Sequence, residues 1–310
     1  MMETEYFTLH NLSDGVYAAI AKPGKGAWSN AGVVDLGDGL LIFDSFATPS
    51  AAQELRIQAE KMTGKKAKYL INSHYHIDHV FGNQVYMDAT IISTSLTRKW
   101  CKDQNVIHDV SKEQKDMEEY LQNLKNQIDT TTHLPLKNSL SNQYKEMSKV
   151  LEDLPYMEIV LPSLTFEKNL VIYGSNRKVE LHCLGGGHSP SDTFMYLPAE
   201  EIAFMGDLVT EELHLPIYNP EEFISILNNI KQMEVKTVIP GHGGIGTLKL
   251  CDTIINYLSY MIGTTKEAHR NKVSLNKFIS GFIIPDEYKN WSGTNWLNGN
   301  LSTIYNFYVK

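Results

Sequence analysis

Cysteine is scarce. The chain has three, Cys101, Cys183 and Cys251, and none forms a C-x-x-C pair. An odd number without close pairs leaves room for one disulfide at most and points to reduced thiols in a cytoplasmic protein. Long apolar runs are missing too. No stretch approaches the roughly 20 residues a membrane span needs. The opening "MMETEYFTLHNLSDG" has neither a basic n-region nor an apolar h-region, so no secretory signal is expected. Runs of Lys and Arg are also lacking. The nearest candidate, "KKAKY" at 65–69, reads as a solvated strand entrance. Formal net charge is −8. A nucleic-acid partner is therefore not expected, because that affinity rests on Lys and Arg meeting phosphates. No low-complexity tract or short-period repeat occurs.

What remains is ordinary globular material, 42% hydrophobic and 21% charged. At 310 residues it suits one large domain carrying elaborations. "AGVVDLGDGLLIFDS" (31–45) reads as a β-hairpin turning at Gly37-Asp38-Gly39. Thr48 and Pro49 then open a helix that Gly64 can end, with Leu55, Ala59 and Met62 as its apolar stripe. "AKYLINS" (67–73) and "ATIISTS" (89–95) read as buried strands. Residues 97–157 change character, being polar and free of strand signals. A capping box at Ser111 and Gln114 opens a helix carrying Met117, Leu121, Leu124 and Ile128, and a second helix follows through "NQYKEMSKVLEDL". This stretch reads as a helical insertion, of a kind that often carries substrate contacts.

Strands return with "LTFEKNLVIYG", "KVELHCLG", "DTFMYLP" and "EIAFMGD". Asn219 and Pro220 open a helix, "VKTVIPGHG" is another strand, and a helix follows at 247–262. Residues 264–310 form an aromatic-rich extension with Trp291, Trp296, Tyr305, Phe307 and Tyr308, whose rings suit a core or an interface. Each half runs strands first and then a helix. That order predicts two sheets with helices on their outer faces, a four-layer αββα sandwich, in preference to a doubly wound parallel sheet.

The chemistry concentrates in "NSHYHIDHVFGN" (72–83), where His74, His76, Asp78 and His79 stand within six positions just past a strand. Histidine and carboxylate are natural ligands for zinc and its first-row neighbours. One ion cannot easily take all four groups, but two ions can share them if more ligands come from elsewhere. Three further strand ends offer them: His188 in "LGGGHSPSDT", Asp207 in "FMGDLV" and His242 in "VIPGHGG". Each follows glycine, which lets the chain turn and aim the next side chain into a shared cleft.

His74-x-His76-x-Asp78-His79 followed by His188, Asp207 and His242 resembles the metallo-β-lactamase superfamily over about residues 12–262. The resemblance implies one αββα domain with two divalent ions at one edge, zinc first, with manganese or iron as alternatives. It implies that His74, His76 and His188 hold one ion, that Asp78, His79 and His242 hold the other, and that Asp207 bridges them. It further implies a hydrolase in which metal-bound hydroxide attacks an activated carbonyl, with Asp78 orienting the nucleophile or moving its proton. The candidate substrates are β-lactams, lactones, thioesters and esters of small size. Aspartate at 207, where several zinc β-lactamases carry cysteine, shifts the likeness toward the glyoxalase II, lactonase and general hydrolase branches. Phosphodiester cleavage on the same fold and a non-catalytic metal-holding sensor are the alternatives. Asp44, ending "LLIFD", is expected to brace the histidine loop. His214 is expected on a surface loop, and Cys183 as a structural thiol rather than a ligand.

Overall fold

The computed structural model describes residues 1–309. Lys310, the last residue of the expected 264–310 extension, lies outside the described residues. The first sheet has eight strands in sequential order: β1 (Met2–Glu3), β2 (Phe7–Ser13), β3 (Val16–Ala21), β4 (Ala31–Asp35), β5 (Leu40–Phe43), β6 (Ala67–Ile71), β7 (Thr90–Thr94) and β8 (Leu164–Phe166). It is antiparallel from β1 to β5 and parallel from β5 to β8. The second sheet joins β9 (Asn169–Tyr173), β10 (Lys178–Cys183), β11 (Thr193–Leu197), β12 (Ile202–Phe204) and β13 (Thr237–Ile239). Only its β12–β13 pair is parallel.

Side-chain alternation explains the layering. On β5, Leu40 and Ile42 face α1 (Pro49–Thr63), while Leu41 and Phe43 face the other sheet. On β11, Met195 and Leu197 point into the same inter-sheet core, and Phe194 and Tyr196 point outward. The outward side is covered by α6 (Pro220–Ile230), α7 (Lys249–Arg270) and the C-terminal helices α8 (Leu275–Gly281) and α9 (Leu297–Phe307). Strands with both faces buried read as near-continuous apolar runs for this reason. Each such Leu, Ile or Phe contributes about 1.5–3 kcal/mol of burial. The result is the expected αββα sandwich.

Local signals mostly held. Thr48 caps α1 by accepting from the Ala51 N–H at 3.2 Å. Ala51, Leu55 and Ala59 form its buried stripe, but Met62, in the last turn, is exposed. The 97–157 stretch holds most of α3 (Ser95–Gln104) and all of α4 (Val110–Thr130) and α5 (Leu134–Asp153). The last two pair as a helical hairpin with its own core, built from Leu121, Leu124, Leu140 and Met147. The cap of α4 is Asp109, which accepts from the Lys112 N–H at 3.1 Å; the expected Ser111 box sits two residues too late. Aspartate caps as well as serine does, so the earlier cap won. Strands β2 and β3, not anticipated above, form a hairpin across Asp14-Gly15, a two-residue turn of the kind such loops favour. "LTFEKNLVIYG" divides between the two sheets, β8 closing the first and β9 edging the second.

Candidate metal centre

Four loops meet at one edge of the sandwich. The chain leaves β6 through Asn72 and Ser73 to His74 and His76, and the short α2 (Ile77–Val80) carries Asp78 and His79. His188 lies between β10 and β11, Asp207 in a single turn after β12, and His242 just past β13. Backbone bonds lock these loops together, between the two sheets and within the second. Thr193 N–H donates to the Ser73 carbonyl at 2.8 Å, and Gly241 N–H to that of Gly206 at 2.8 Å. Gly206 has φ +51°, and a Cβ on Gly241 would lie 2.0 Å from Asp207 Oδ1. Glycine is needed there so that the backbone can approach the carboxylate.

All seven sequence-expected residues come together in two groups. His74, His76, His188 and Asp207 form one, and Asp78, His79 and His242 the other; within each, donor atoms lie within 4.8 Å of one another. Asp207 faces both. Its Oδ2 is 3.4 Å from His188 Nε2 and 3.9 Å from His74 Nε2. Its Oδ1 is 3.3 Å from His79 Nε2 and 3.4 Å from His242 Nε2. Asp78 Oδ2 lies 3.2 Å from His242 Nε2.

The outward nitrogens are held by the protein. His79 Nδ1 meets Asp44 Oδ2 at 2.8 Å, and Asp44 Oδ1 accepts the Ser73 N–H at 2.7 Å. His188 Nδ1 meets the Pro216 carbonyl at 2.9 Å, His242 Nδ1 the Trp28 carbonyl at 3.1 Å, and His74 Nδ1 the Ser73 hydroxyl at 2.9 Å. Such partners fix ring orientation and tautomer, and they leave the inward nitrogen's lone pair free. Asp192 braces the next loop, accepting the Gly187, His188 and Ser189 N–H groups.

Electrostatics differ between the groups. Burial, with neighbouring imidazoles, pushes His74 well below its ordinary value and His76 down to about 3. Both therefore present neutral rings. Burial opposes protonation in the second group as well, but carboxylates outweigh it there. Asp207, Asp44 and Asp78 raise His79, and Asp207 and Asp78 push His242 up to about 10. Burial also disfavours the charged form of Asp207, yet His242 and His79 hold it well below the usual carboxylate range.

Hydrogen bonds alone cannot satisfy this arrangement. His76 Nδ1 lies 3.0 Å from His74 Nε2 and 2.9 Å from His188 Nε2, and it has at most one proton to give. His79 Nε2 and Asp207 Oδ1 are buried without a hydrogen-bond partner. Buried polar atoms are normally paired, so converging orphans of this kind fit cations. Imidazole nitrogen and carboxylate oxygen, without thiolate, suit zinc and neighbouring divalent ions.

Above the donors lies a cleft of about 490 Å³. Trp28, Tyr75 and Ile77 line one side, Tyr120, Asn142 and Met147 of the helical hairpin another, and Leu213, Asn295 and Trp296 the rest. The hairpin and the C-terminal segment are tied where the Gly293 N–H donates to Ser139 Oγ at 3.0 Å. His214 is not on the surface. It is fully buried, with Nδ1 2.8 Å from the Tyr257 hydroxyl and its ring 5.5 Å from that of Trp291. Helix α7 and the C-terminal segment cover it, a long-range contact that local sequence does not show. Trp291 is core, whereas Trp296 is half exposed at the cleft. Cys183 is half-buried and, like the other two cysteines, unpaired and outside the donor groups.

Several supporting residues escaped the sequence reading. Asn72 and Asn83 exchange two side-chain bonds at 2.9 Å and clasp the ends of the histidine loop. Their signal was there, since they are the first and last residues of "NSHYHIDHVFGN". Trp28, in the glycine-flanked "GKGAWSN", was a weaker one. Nothing local marked Pro216 or Glu146. The carboxylate of Glu146 is buried on α5 and accepts the Gly24 and Gly26 N–H groups at 2.5 and 2.7 Å.

An αββα sandwich that gathers histidines and aspartates from strand-end loops at one edge defines a class of proteins with a metal-binding type of centre. The chain belongs to the metallo-beta-lactamase superfamily, whose family model matches residues 28–242. Among solved structures it is similar to a metallo-beta-lactamase from Pontibacter korlensis. The TM-score is 0.59 at 15% identity, over 82% of this chain and 99% of that one. At that identity the likeness speaks for the fold. Among the described residues, no helix is long and apolar enough to cross a membrane.

Proposed function

We propose that this protein is a two-metal hydrolase of small molecules with an activated carbonyl: a β-lactam, lactone, thioester or ester. In this reading His74, His76 and His188 hold one ion, Asp78, His79 and His242 hold the second, and Asp207 bridges them. The observation that carries it is the placement of Asp207, whose two oxygens face different histidine groups. Zinc is the expected metal. A pair of divalent ions would supply hydroxide at neutral pH and polarise the carbonyl under attack.

The chain's own contributions follow from the geometry. Asp78, half-buried at the cleft floor, is placed to orient the attacking water and take its proton. Asp44, Pro216 and Trp28 keep histidine rings aimed inward. The hairpin, read as an insertion at 97–157 of a single domain, and the extension from 264 form walls that exclude water and hold substrate. Unpaired thiols support a cytoplasmic location.

The test joins elemental analysis to a substrate panel of nitrocefin, a thioester, a lactone and a phosphodiester. Turnover of a carbonyl substrate with about two ions per chain is expected, and His76→Ala and Asp207→Ala should abolish both metal content and turnover. Unchanged turnover in a metal-free variant would sink the reading. Turnover of the phosphodiester alone would replace it with phosphodiester cleavage.

A further inference from the structure

Apart from Asp78 and Asp207 of the centre itself, no Asp, Glu, Lys or Arg lines the cleft among the described residues, and its imidazoles are His76, His188 and His242 of the centre and the buried His214, which burial holds down to about 4 and so neutral. Its walls are aromatic and aliphatic, with neutral amides between. Two of those amides are already committed. Gln143 Nε2 donates to the Tyr120 hydroxyl at 2.7 Å, and Asn105 Nδ2 to the Tyr75 carbonyl at 2.7 Å. Asn142 differs. It lines the cleft from α5, half-buried, and its side chain makes no hydrogen bond among the described residues. One helical turn further along, the buried Glu146 is occupied by Gly24 and Gly26.

We propose that the substrate is uncharged outside the bond that is cut. It lays an apolar arm along Trp28, Tyr75 and Trp296 and exchanges a hydrogen bond with Asn142, which sets specificity. The proposal rests on the hydrolase reading and narrows it to neutral esters, lactones or thioesters. A carboxylate on the far end of the substrate would lose hydration against these walls and find no cation in return. An amide or hydroxyl would find Asn142, and a site built around a hydrogen bond discriminates against analogues that cannot make it. Hydrolysis adds water across the acyl bond and yields a carboxylate, a proton and an alcohol or thiol, so no redox partner is needed.

Two chromogenic esters of similar length test this: p-nitrophenyl hexanoate and mono-p-nitrophenyl adipate, which carries a carboxylate at its far end. With the metal-loaded protein, kcat/KM should favour the neutral ester by about tenfold or more, after correction for their rates with free hydroxide. Unproductive capture of the carboxylate by the metals changes kcat and KM together and leaves that ratio intact. Asn142→Lys should shrink the preference by about tenfold, mainly through the KM of the adipate ester, with metal content unchanged. Asn142→Leu keeps the wall neutral and should weaken binding of a neutral amide by about fivefold. Binding is read separately by tryptophan fluorescence, with hexananilide against adipic monoanilide. Equal or better turnover of the adipate ester, or tighter binding of the charged anilide, overturns the proposal. A clear preference for the neutral anilide without turnover of any ester upholds the cleft's chemistry and removes the hydrolase reading.

Discussion

Asp44→Asn separates the two ion sites. Asp44 is fully buried, with φ +62°, a backbone region that asparagine also tolerates. Its Oδ1 accepts the Ser73 N–H, and its Oδ2 takes the proton of His79 Nδ1. That pairing keeps the Nε2 lone pair of His79 available on the side of Asp207. An asparagine that still accepts from Ser73 turns its NH2 toward Nδ1. Nδ1 must then accept, the ring proton moves to Nε2, and the inward lone pair is lost. Flipping the amide restores the tautomer but breaks the Ser73 bond. Loss of such an outer partner typically costs 10- to 100-fold in metal affinity, or about 1.4–2.7 kcal/mol. The first group should be spared, because His74 and His188 are oriented by Ser73 Oγ and the Pro216 carbonyl. Competition against a chromophoric chelator, with elemental analysis, should show one ion held at wild-type affinity and the other weakened. Two ions at wild-type affinity would refute this assignment of the proton. Equal weakening of both would show that Asp44 supports the whole loop through Ser73 instead.

Further outcomes follow from the same geometry. Glu146→Gln places an NH2 against a backbone N–H in a buried site and should cost about 1–3 kcal/mol of stability, read from urea midpoints. Gly241→Ala puts a methyl where Asp207 Oδ1 lies and should lower the metal content of folded protein, measured beside its circular dichroism. In chelator-treated protein, His79 and His242 have folded values above about 6.5. Their contribution is complete below that pH and lost as pH rises through the raised values, toward about 10 for His242, so the urea midpoint should fall over this window and His242→Gln should flatten the fall. Asp207 works in the opposite sense, its contribution being lost as pH drops below about 4 through its depressed value. Metal ions must displace the second group's protons, so calorimetric titration in buffers of different ionisation enthalpy should show proton release.

The layers and the donors were legible because both are written locally. The apolar runs of β5 and β11, the Thr48 cap and the glycines at 187, 206 and 241 each follow from a few adjacent residues. The donors announce themselves because imidazoles and carboxylates cluster at strand ends, where short glycine turns leave few directions for a side chain. What stayed hidden depends on contacts between distant segments. His214 looks like a loop histidine until α7 and the C-terminal segment close over it. The cap of α4 was misplaced because Asp109 and Ser111 offer equivalent chemistry two residues apart, and only tertiary packing chooses between them. Strands β8 and β9 read as one run because a change of sheet leaves no mark on apolar alternation.

The centre and its walls are nonetheless mechanically joined, and Glu146 is the joint. It projects from α5, the helix that also presents Asn142 and Met147 to the cleft. Its carboxylate grips Gly24 and Gly26, and that loop continues to Trp28. Trp28 gives its ring to the cleft and its carbonyl to His242 Nδ1. A shift of the hairpin therefore has a covalent and hydrogen-bonded route to one ligand of the second group. Burial raises the pKa of this carboxylate, and the two glycine N–H groups work against that rise, so holding the loop is what compensates for placing a charge there. A surface decoration would not need a buried charge at that point. The position of Glu146 argues that the helices over the cleft were built to act together with the centre beneath them.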